Sequence, residues 1–251
     1  SGNSVSLSSD GTTVAIGAAN NDGNGLGSGH VRIYRKLMGA WAQIGSDING
    51  EAAGDQFGRS VCLSSDGLII AIGGSNNDGN GSNSGHVRVY QYLSGNWAQI
   101  GSDIDGEAAN DNSGSAVSLS NNGNIVAIGA LNNDGNGINS GHVRIYQYFS
   151  GNWTQIGSDV DGEAANDRSG AAISLSSNGN IVAIKAPNND GNGLDSGHVR
   201  VYQYISGNWT QIGIDIDGEA STDLSGYSIS LSSNGSVIAI GASYNNGNFV
   251  D

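Results

Sequence analysis

One short loop sequence recurs along the chain and offers oxygen atoms that could bind a cation or a polar ligand. NNDGNG occupies residues 20–25, 76–81, 132–137 and 188–193, at a constant spacing of 56 residues. Alternate side chains in each copy carry oxygens, and the two glycines permit a positive φ. The candidate ligand residues are Asn20, Asp22, Asn24, Asn76, Asp78, Asn80, Asn132, Asp134, Asn136, Asn188, Asp190 and Asn192. The alternative is a tight turn whose side chains bond only to their own backbone.

A second acidic segment, which we call the connector, follows at the same spacing. It reads DINGEAAGD at 47–55, and related segments occupy 103–111, 159–167 and 215–223. The last three place carboxylates at positions one, three, five and nine, a spacing typical of calcium loops. Calcium is therefore the candidate cofactor, with Asp103, Asp105, Glu107, Asp111, Asp159, Asp161, Glu163, Asp167, Asp215, Asp217, Glu219 and Asp223 as candidate ligands. Because the glycine falls at position four rather than six, a turn capped by Asp is the alternative.

One His, one Arg and one Trp also recur in each interval. We expect each His to bond a neighbouring loop, because four separate units would hold the four rings too far apart for one zinc ion. We expect each Arg to pair with the connector Asp (Asp55, Asp111, Asp167 or Asp223) or Glu of its own or the next blade, because a buried Arg needs a carboxylate. Rim packing is predicted for each Trp, with sugar stacking as the alternative. The structural candidates are Arg32, Arg88, Arg144, Arg200, Trp41, Trp97, Trp153 and Trp209.

Four strand-like runs within each 56-residue unit must position these residues. In the first unit they are SVSLS (4–8), TVAIGA (13–18), HVRIY (30–34) and WAQIGSDI (41–48). Each run alternates large apolar residues with small or polar ones, as half-buried strands do. Repeated four-stranded units predict an all-β fold, a β-propeller of four-stranded antiparallel blades, with about five blades and the last incomplete. We predict one domain over 1–251, with repeats 2–57, 58–113, 114–169 and 170–225 and a partial repeat 226–251. A solenoid of stacked hairpins is the alternative.

The alternation gives each blade one bulky face and one small face. Val5, Leu7, Val14 and Ile16 point one way, whereas Ser4, Ser6, Ala15 and Gly17 point the other. We expect the bulky face of one blade to pack on the small face of the next. In antiparallel blades the NNDGNG loops and the connectors fall on the same side, which predicts one acidic face.

Net charge restricts the partners. The formal charge is −14, so we expect no nucleic acid partner and no binding to anionic lipid. No apolar stretch approaches the ~20 residues of a membrane helix, which argues against membrane insertion. The single Cys62 is predicted to be a buried structural thiol. Sequons at Asn80, Asn152, Asn208 and Asn234 are possible glycan sites in a secreted chain or chance occurrences.

The unit from Asp55 to Asp111 resembles the FG-GAP repeat of integrin α-subunit propellers and of bacterial and algal surface proteins. The resemblance rests on Phe57-Gly58, on Gly17-Ala18-Ala19 and its equivalents, and on GHVRIY or GHVRVY in each unit. It implies a propeller at an extracellular or cell-surface location. Family members that bind calcium carry a DxDxDGxxD loop between the first two strands. Here SSDG, SNNG or SSNG replaces it, so the family's calcium position is not expected.

These features predict a non-enzymatic extracellular binding or adhesion module, whose acidic face engages a protein or glycan, with calcium assisting. No nucleophile lies beside a base in a familiar motif, and identical units argue against one asymmetric active site. A multivalent lectin with one sugar site per blade is the alternative. The unfinished fifth unit also suggests part of a longer chain or assembly.

Overall fold

The computed structural model describes residues 1–246, and every regular element among them is a β-strand. We call the five sheets blades 1–5. Blade 1 contains β1 (Ser4–Leu7), β2 (Thr13–Ala18), β3 (His30–Leu37), β4 (Ala40–Gln43) and β5 (Ile48–Asn49). Blade 2 contains β6 (Phe57–Leu63), β7 (Ile69–Gly74), β8 (His86–Leu93), β9 (Asn96–Gln99) and β10 (Ile104–Asp105).

The remaining blades repeat this pattern. Blade 3 contains β11 (Ser113–Leu119), β12 (Ile125–Ala130), β13 (His142–Phe149), β14 (Asn152–Gln155) and β15 (Val160–Asp161). Blade 4 contains β16 (Ile173–Leu175), β17 (Ile181–Ala186), β18 (His198–Ile205), β19 (Asn208–Gln211) and β20 (Ile216–Asp217). Blade 5 contains β21 (Ser228–Leu231) and β22 (Ile238–Gly241). The predicted all-β, propeller-like architecture of antiparallel blades is confirmed.

Strand order within a blade follows the chain, with one exception at the outer edge. Blade 1 runs β1-β2-β3-β4, and the two-residue β5 pairs with the start of β3 through His30↔Asn49 and Val31↔Ile48. The prediction of one continuous fourth strand over 41–48 is therefore wrong, because this segment contains two separate strands, β4 and β5, with a break between them.

The break makes room for the tryptophan of the following blade. Between blades 3 and 4, Gly157 has a φ of +74°, and a Cβ on it would lie 2.7 Å from Trp209 Cδ1. Trp209 Nε1 donates a hydrogen bond of 2.8 Å to the carbonyl of Ile156. A continuous outer strand would use that carbonyl in its own ladder, so the interruption and the inserted ring belong together.

The blades stack bulky face against small face, as predicted. Ala15 and Val31 of blade 1 form one core with Leu63, Ile70 and Ile72 of blade 2. Equivalent cores join blade 2 to blade 3 and blade 3 to blade 4. At ~25 cal/mol for each Å² of apolar surface removed from water, these contacts supply the main stabilisation between blades.

Polar atoms fix the stacking register. The backbone N–H of Leu63 donates to Ser6 Oγ at 2.9 Å, and Leu175 donates to Ser118 Oγ at 3.0 Å. Between blades 2 and 3 the acceptor is Cys62 Sγ, 3.2 Å from the Leu119 nitrogen. Cys62 therefore occupies a serine position of the repeat. Desolvation raises the pKa of its thiol, in accord with the structural role expected for it, although the side chain is half-buried and not buried as predicted.

Candidate functional site: the acidic loop face

The NNDGNG side chains mostly serve the turn itself. In the first copy, Asn21 Oδ1 accepts a hydrogen bond from the Gly23 N–H at 2.9 Å. Asp22 Oδ1 accepts one from the Gly27 N–H at 2.8 Å. The same pair of bonds recurs in the other three copies. Local turn chemistry therefore accounts for the composition of this loop.

The last Asn of each loop ties the loop to the connector. Asn24 Nδ2 donates to the carbonyls of Gly50 and Glu51, both at 2.9 Å. Asn80, Asn136 and Asn192 make the equivalent bonds. The prediction that loops and connectors share one face is thus confirmed, and each pair forms one bonded unit. The Asn80 sequon nitrogen is engaged in the same bonds, which a glycan there would disrupt.

The second Asn of the loop, which is not among the predicted ligand residues, reaches the connector of the preceding blade in blades 3 and 4. Asn133 is buried, and its Nδ2 donates to Asp111 Oδ2 of the preceding connector at 3.1 Å. Asn189 makes the same bond to Asp167 at 3.0 Å. The only signal in the sequence was that all three Asn residues of NNDGNG are invariant among the four copies.

The four carboxylates of a connector have different partners instead of one common centre. Asp103 accepts hydrogen bonds from Arg88 and Gln99. Asp111 Oδ2 caps a turn by accepting from the Ala108 N–H at 3.0 Å. Burial, followed by repulsion from Asp103, raises the pKa of Asp105. A connector therefore does not fold as a single calcium loop, and calcium binding stays a prediction.

Three of the four Arg residues join two blades, but through partners other than the connector Asp named above. Arg88 pairs with Glu51 of the preceding blade and, at 2.8 Å, with Asp103 of its own blade. Asp55 instead accepts backbone bonds from Glu51 and Ala52. A connector Glu is confirmed as a partner, but it comes from the preceding blade and not from the same or the next blade as predicted. The Asp55 pairing is wrong, because this Asp is already used as a turn cap.

The Arg clasp varies along the array. Arg200 pairs with Glu163 and Asp215 in the same way as Arg88 pairs with its partners. Arg144 donates to the Asp105 carbonyl at 2.7 Å and lies 3.4 Å from Glu107 Oε1. Arg32 in blade 1 pairs only with Asp47, and its side chain is half exposed. Burial alone would raise the pKa of Asp103, yet the bonds from Arg88 and Gln99 outweigh burial and lower it.

Each His lies beside this clasp without the expected bond to a loop. Among the described residues, neither nitrogen of the fully buried His86 has a hydrogen-bond partner. Its Nδ1 lies 3.6 Å from Asp103 Oδ2, beyond direct hydrogen-bond range. Burial, together with the Arg144 charge, lowers the pKa of the equivalent His142 to about 4. These imidazoles are therefore neutral at pH 7.

The tryptophans pack between blades at the rim, as predicted. Trp97 Nε1 donates to the Ile44 carbonyl of blade 1 at 3.0 Å, and its ring contacts Tyr92 with centroids 5.1 Å apart. Trp97 is only 7% exposed, whereas Trp41, which has no preceding blade in the described structure, is 48% exposed. The indole of Trp97 is thus committed to packing and is not a free sugar platform.

Apolar side chains project from the loop face at one repeated position. Leu26, Ile138 and Leu194 are 79%, 68% and 65% exposed, and Ser82 occupies the same position in blade 2. The backbone beneath them is held, because the Leu26, Ile138 and Leu194 carbonyls accept hydrogen bonds from the following connectors. The exposed carboxylates Asp22, Asp78, Asp134 and Asp190 lie four residues before this position.

Comparisons with known proteins agree with this architecture. Residues 49–90 match the sequence model of the FG-GAP repeat, and no curated protein matched in sequence. A Bacteroides uniformis protein described as a 6-phosphogluconolactonase is 15% identical, with a TM-score of 0.61 over 93% of this chain and 62% of that one. The periplasmic gluconolactonase of Pseudomonas aeruginosa is 16% identical, with a TM-score of 0.56 over 94% of this chain and 64% of that one.

These neighbours bear on whether the chain is an enzyme. Both are lactonases by description, so the expectation that the chain is not an enzyme is contradicted: repeated blades of this kind occur in enzymes. At such identity the likeness extends to the fold alone, and the chain spans less than two thirds of either structure. The described residues contain no helix with the length and apolar character needed to cross a bilayer. The resemblance read from the sequence is confirmed by the match to the FG-GAP repeat over residues 49–90, which lie within a propeller-like array of similar blades.

Proposed function

We propose that the chain is an extracellular binding module that recognises a protein partner through its acidic loop face. The observation that carries this proposal is the row of exposed apolar residues, Leu26, Ile138 and Leu194, at one repeated position on that face. Large apolar groups repeated on one face, with exposed carboxylates four residues away in sequence, offer another protein both apolar and charged contacts.

The rigidity of the face supports recognition. Asn24 and its equivalents bond each loop to its connector, and the Leu26 carbonyl adds a third bond of 2.9 Å to Gly54. A surface held in one conformation loses little conformational entropy when a partner binds. The presented side chains are therefore pre-positioned for contact.

Charge indicates the chemistry of the partner. The chain has 23 acidic and 9 basic residues, and exposed carboxylates such as Asp22, Asp134 and Asp190 lie close in sequence to the apolar tips. A complementary partner would combine basic side chains with apolar pockets, and opposite charge would speed its association. FG-GAP repeats are typical of extracellular proteins, which supports that location for the interaction.

The test combines a loop-face variant with a control variant at the C-terminal ends of the equivalent strands β3, β8 and β13. The triple variant Leu26→Ser, Ile138→Ser, Leu194→Ser imitates blade 2, where Ser82 occurs naturally. The control replaces Leu37, Leu93 and Phe149, which are also exposed, by Ser. Both would be screened against an array of purified extracellular proteins. We expect the loop-face variant to lose at least tenfold in affinity and the control to keep it. Binding lost only in the control would contradict the proposal.

A sugar site between blades 2 and 3 is the second candidate. A cleft of about 220 Å³ there is lined by Asp103, Asp105, Tyr146, Asn152 and Trp153. Carboxylates, an amide and an aromatic edge are groups that contact sugar hydroxyls and ring faces. A glycan array would separate the two candidates: binding that Asn152→Ala abolishes and the loop-face variant leaves unchanged would favour the sugar.

A further inference from the structure

We propose that each junction between neighbouring blades, from blade 1 to blade 4, binds one divalent transition metal of the zinc class through a Glu of one blade and a His and an Asp of the next. The three clusters are Glu51–His86–Asp103, Glu107–His142–Asp159 and Glu163–His198–Asp215, and the candidate ligand atoms in each lie within 4.8 Å of one another. This proposal is independent of the proposed loop-face partner.

The cluster around His198 gives the strongest geometry. His198 Nδ1 lies 3.7 Å from Glu163 Oε2, 3.9 Å from Asp215 Oδ2 and 4.0 Å from Asp217 Oδ1. A tetrahedral zinc ion with bonds of ~2.0–2.2 Å holds its ligand atoms roughly 3.3–3.5 Å apart. The three carboxylates are partly exposed, and shifts of a few tenths of an ångström would bring each of them to that distance from His198 Nδ1. The Glu163 and Asp215 oxygens, which lie within 4.8 Å of each other, would close on the ion together.

The buried imidazole has an unmet requirement that a metal would satisfy. His198 is buried, and among the described residues its Nδ1 has no hydrogen-bond partner. If Nδ1 carries a proton, the surrounding carboxylates are too distant to accept it. If Nδ1 is unprotonated, its lone pair faces carboxylate oxygens, which is unfavourable. A metal ion between them would accept electron pairs from the nitrogen and the oxygens together.

The local charge also favours a cation. Glu163, Asp215 and Asp217 contribute three negative charges near His198, while Arg200 contributes one positive charge. Arg200 contacts Glu163 through Oε1, so Oε2 faces the imidazole, where it also accepts a long hydrogen bond of 3.3 Å from Asn189 Nδ2. The clasp therefore orients the carboxylate toward His198 instead of consuming both of its oxygens.

The repeat supplies its own negative control. His30 in blade 1 lies 3.6 Å from Asp47 Oδ2, and its equivalents lie 3.6–3.9 Å from theirs, but no described residue provides a Glu from a preceding blade. The proposal therefore requires three metal ions per chain, although the chain contains four His residues. This stoichiometry separates an interblade site from nonspecific binding to His.

The experiment is isothermal titration of the EDTA-treated full chain with Zn²⁺, with Co²⁺ absorption as a second readout of nitrogen and oxygen ligation. We expect three equivalents for the wild type and for His30→Gln, and one fewer for Glu163→Gln and for His198→Gln. Glu163→Gln removes only a partly exposed carboxylate, so circular dichroism should show a folded protein even if His198→Gln unfolds.

Several results would overturn the metal proposal. Absence of saturable Zn²⁺ binding would do so, as would an unchanged stoichiometry in folded Glu163→Gln. A loss of one equivalent in His30→Gln would show that Glu is not required. Binding of Ca²⁺ with the same stoichiometry, undiminished in His198→Gln, would replace the His-containing site by an all-oxygen one. The loop-face variant should leave the Zn²⁺ stoichiometry at three, so failure of the proposed function would be recognised separately.

Discussion

Replacement of Trp97 and Trp41 by Ala tests whether interblade packing, rather than the local sequence, stabilises the array. The two residues occupy the same repeat position, but Trp97 inserts against blade 1 and Trp41 has no such neighbour in the described structure. Trp97→Ala removes a buried indole, for which a loss of about 3–5 kcal/mol in the free energy of unfolding is typical. Trp41→Ala removes a half-exposed ring, and we expect a loss below about 1 kcal/mol.

A third variant separates the stabilisation that Trp97 gains from burying its aromatic surface from the stabilisation that it gains from its hydrogen bond. Trp97→Phe keeps most of the aromatic surface but removes the Nε1 donor and leaves the Ile44 carbonyl without it. The expected loss is about 1–2 kcal/mol, because a buried group that loses its partner bears its desolvation cost.

The assay is urea unfolding followed by far-ultraviolet circular dichroism, since tryptophan fluorescence would change with the substitutions themselves. The slope of the unfolding free energy against urea concentration must match among variants before their midpoints are compared, because repeat arrays can unfold in parts. Equal destabilisation by Trp97→Ala and Trp41→Ala would refute the reasoning, since the ring would then act within its own blade.

Three further predictions use matched positions in the repeat. Gly157→Ala and Gly213→Ala both place Ala at a positive φ, which costs ~1–2 kcal/mol. Of these two positions only Gly157 faces a Trp ring, so the thermal unfolding midpoint of Gly157→Ala should fall further. Equal shifts of the two midpoints would contradict the contact. Arg88→Met should cost about 3–5 kcal/mol by leaving Glu51 and Asp103 unpaired, whereas Arg32→Met should cost below ~1 kcal/mol. The pKa of Asp103 is lowered in the folded state, so the stabilisation that its charged form contributes is present at neutral pH and is lost as the pH falls through that pKa. The difference in the free energy of unfolding between wild type and Arg88→Met, measured with urea, should therefore shrink in acid. Cys62 should resist alkylation by iodoacetamide at pH 8 in the folded state, since desolvation raises its pKa. The free energy of unfolding of Cys62→Ser should lie within ~1 kcal/mol of the wild-type value, because Ser keeps the hydrogen-bond acceptor. Rapid alkylation without unfolding would contradict the first expectation.

Much of the fold was predictable because it is encoded by short-range patterns. The alternation in SVSLS and TVAIGA specified strands with one bulky and one small face, and the observed β1 and β2 agree within one residue. The Asn, Asp and Gly residues of NNDGNG specified a turn stabilised by its own side chains. Both inferences depend on neighbours within a few residues, and repetition at a constant spacing then made the arrangement of similar blades predictable.

The pairing of the charged groups could not be predicted in the same way. Arg88 had several acidic residues within reach in sequence terms, and only the stacking of blades places Glu51 of the preceding connector beside it. His86 gave no sign in the sequence that its nitrogens would lack partners, because that depends on what the packed interface excludes. The connector spacing resembled a calcium loop, yet its carboxylates diverge once β10 pairs with β8.

The sequence by itself thus determined the first three strands of each unit, their two faces, the turns and the number of similar units, since each depends on local periodicity and turn chemistry. Only the tertiary structure decided which residues of one blade meet those of the next. Trp41 and Trp97 show the difference, because they share a repeat position and yet one is exposed and the other buried. The physical reason is that burial, ion pairing and the candidate metal clusters arise between residues tens of positions apart, where the stacked sheets exclude water.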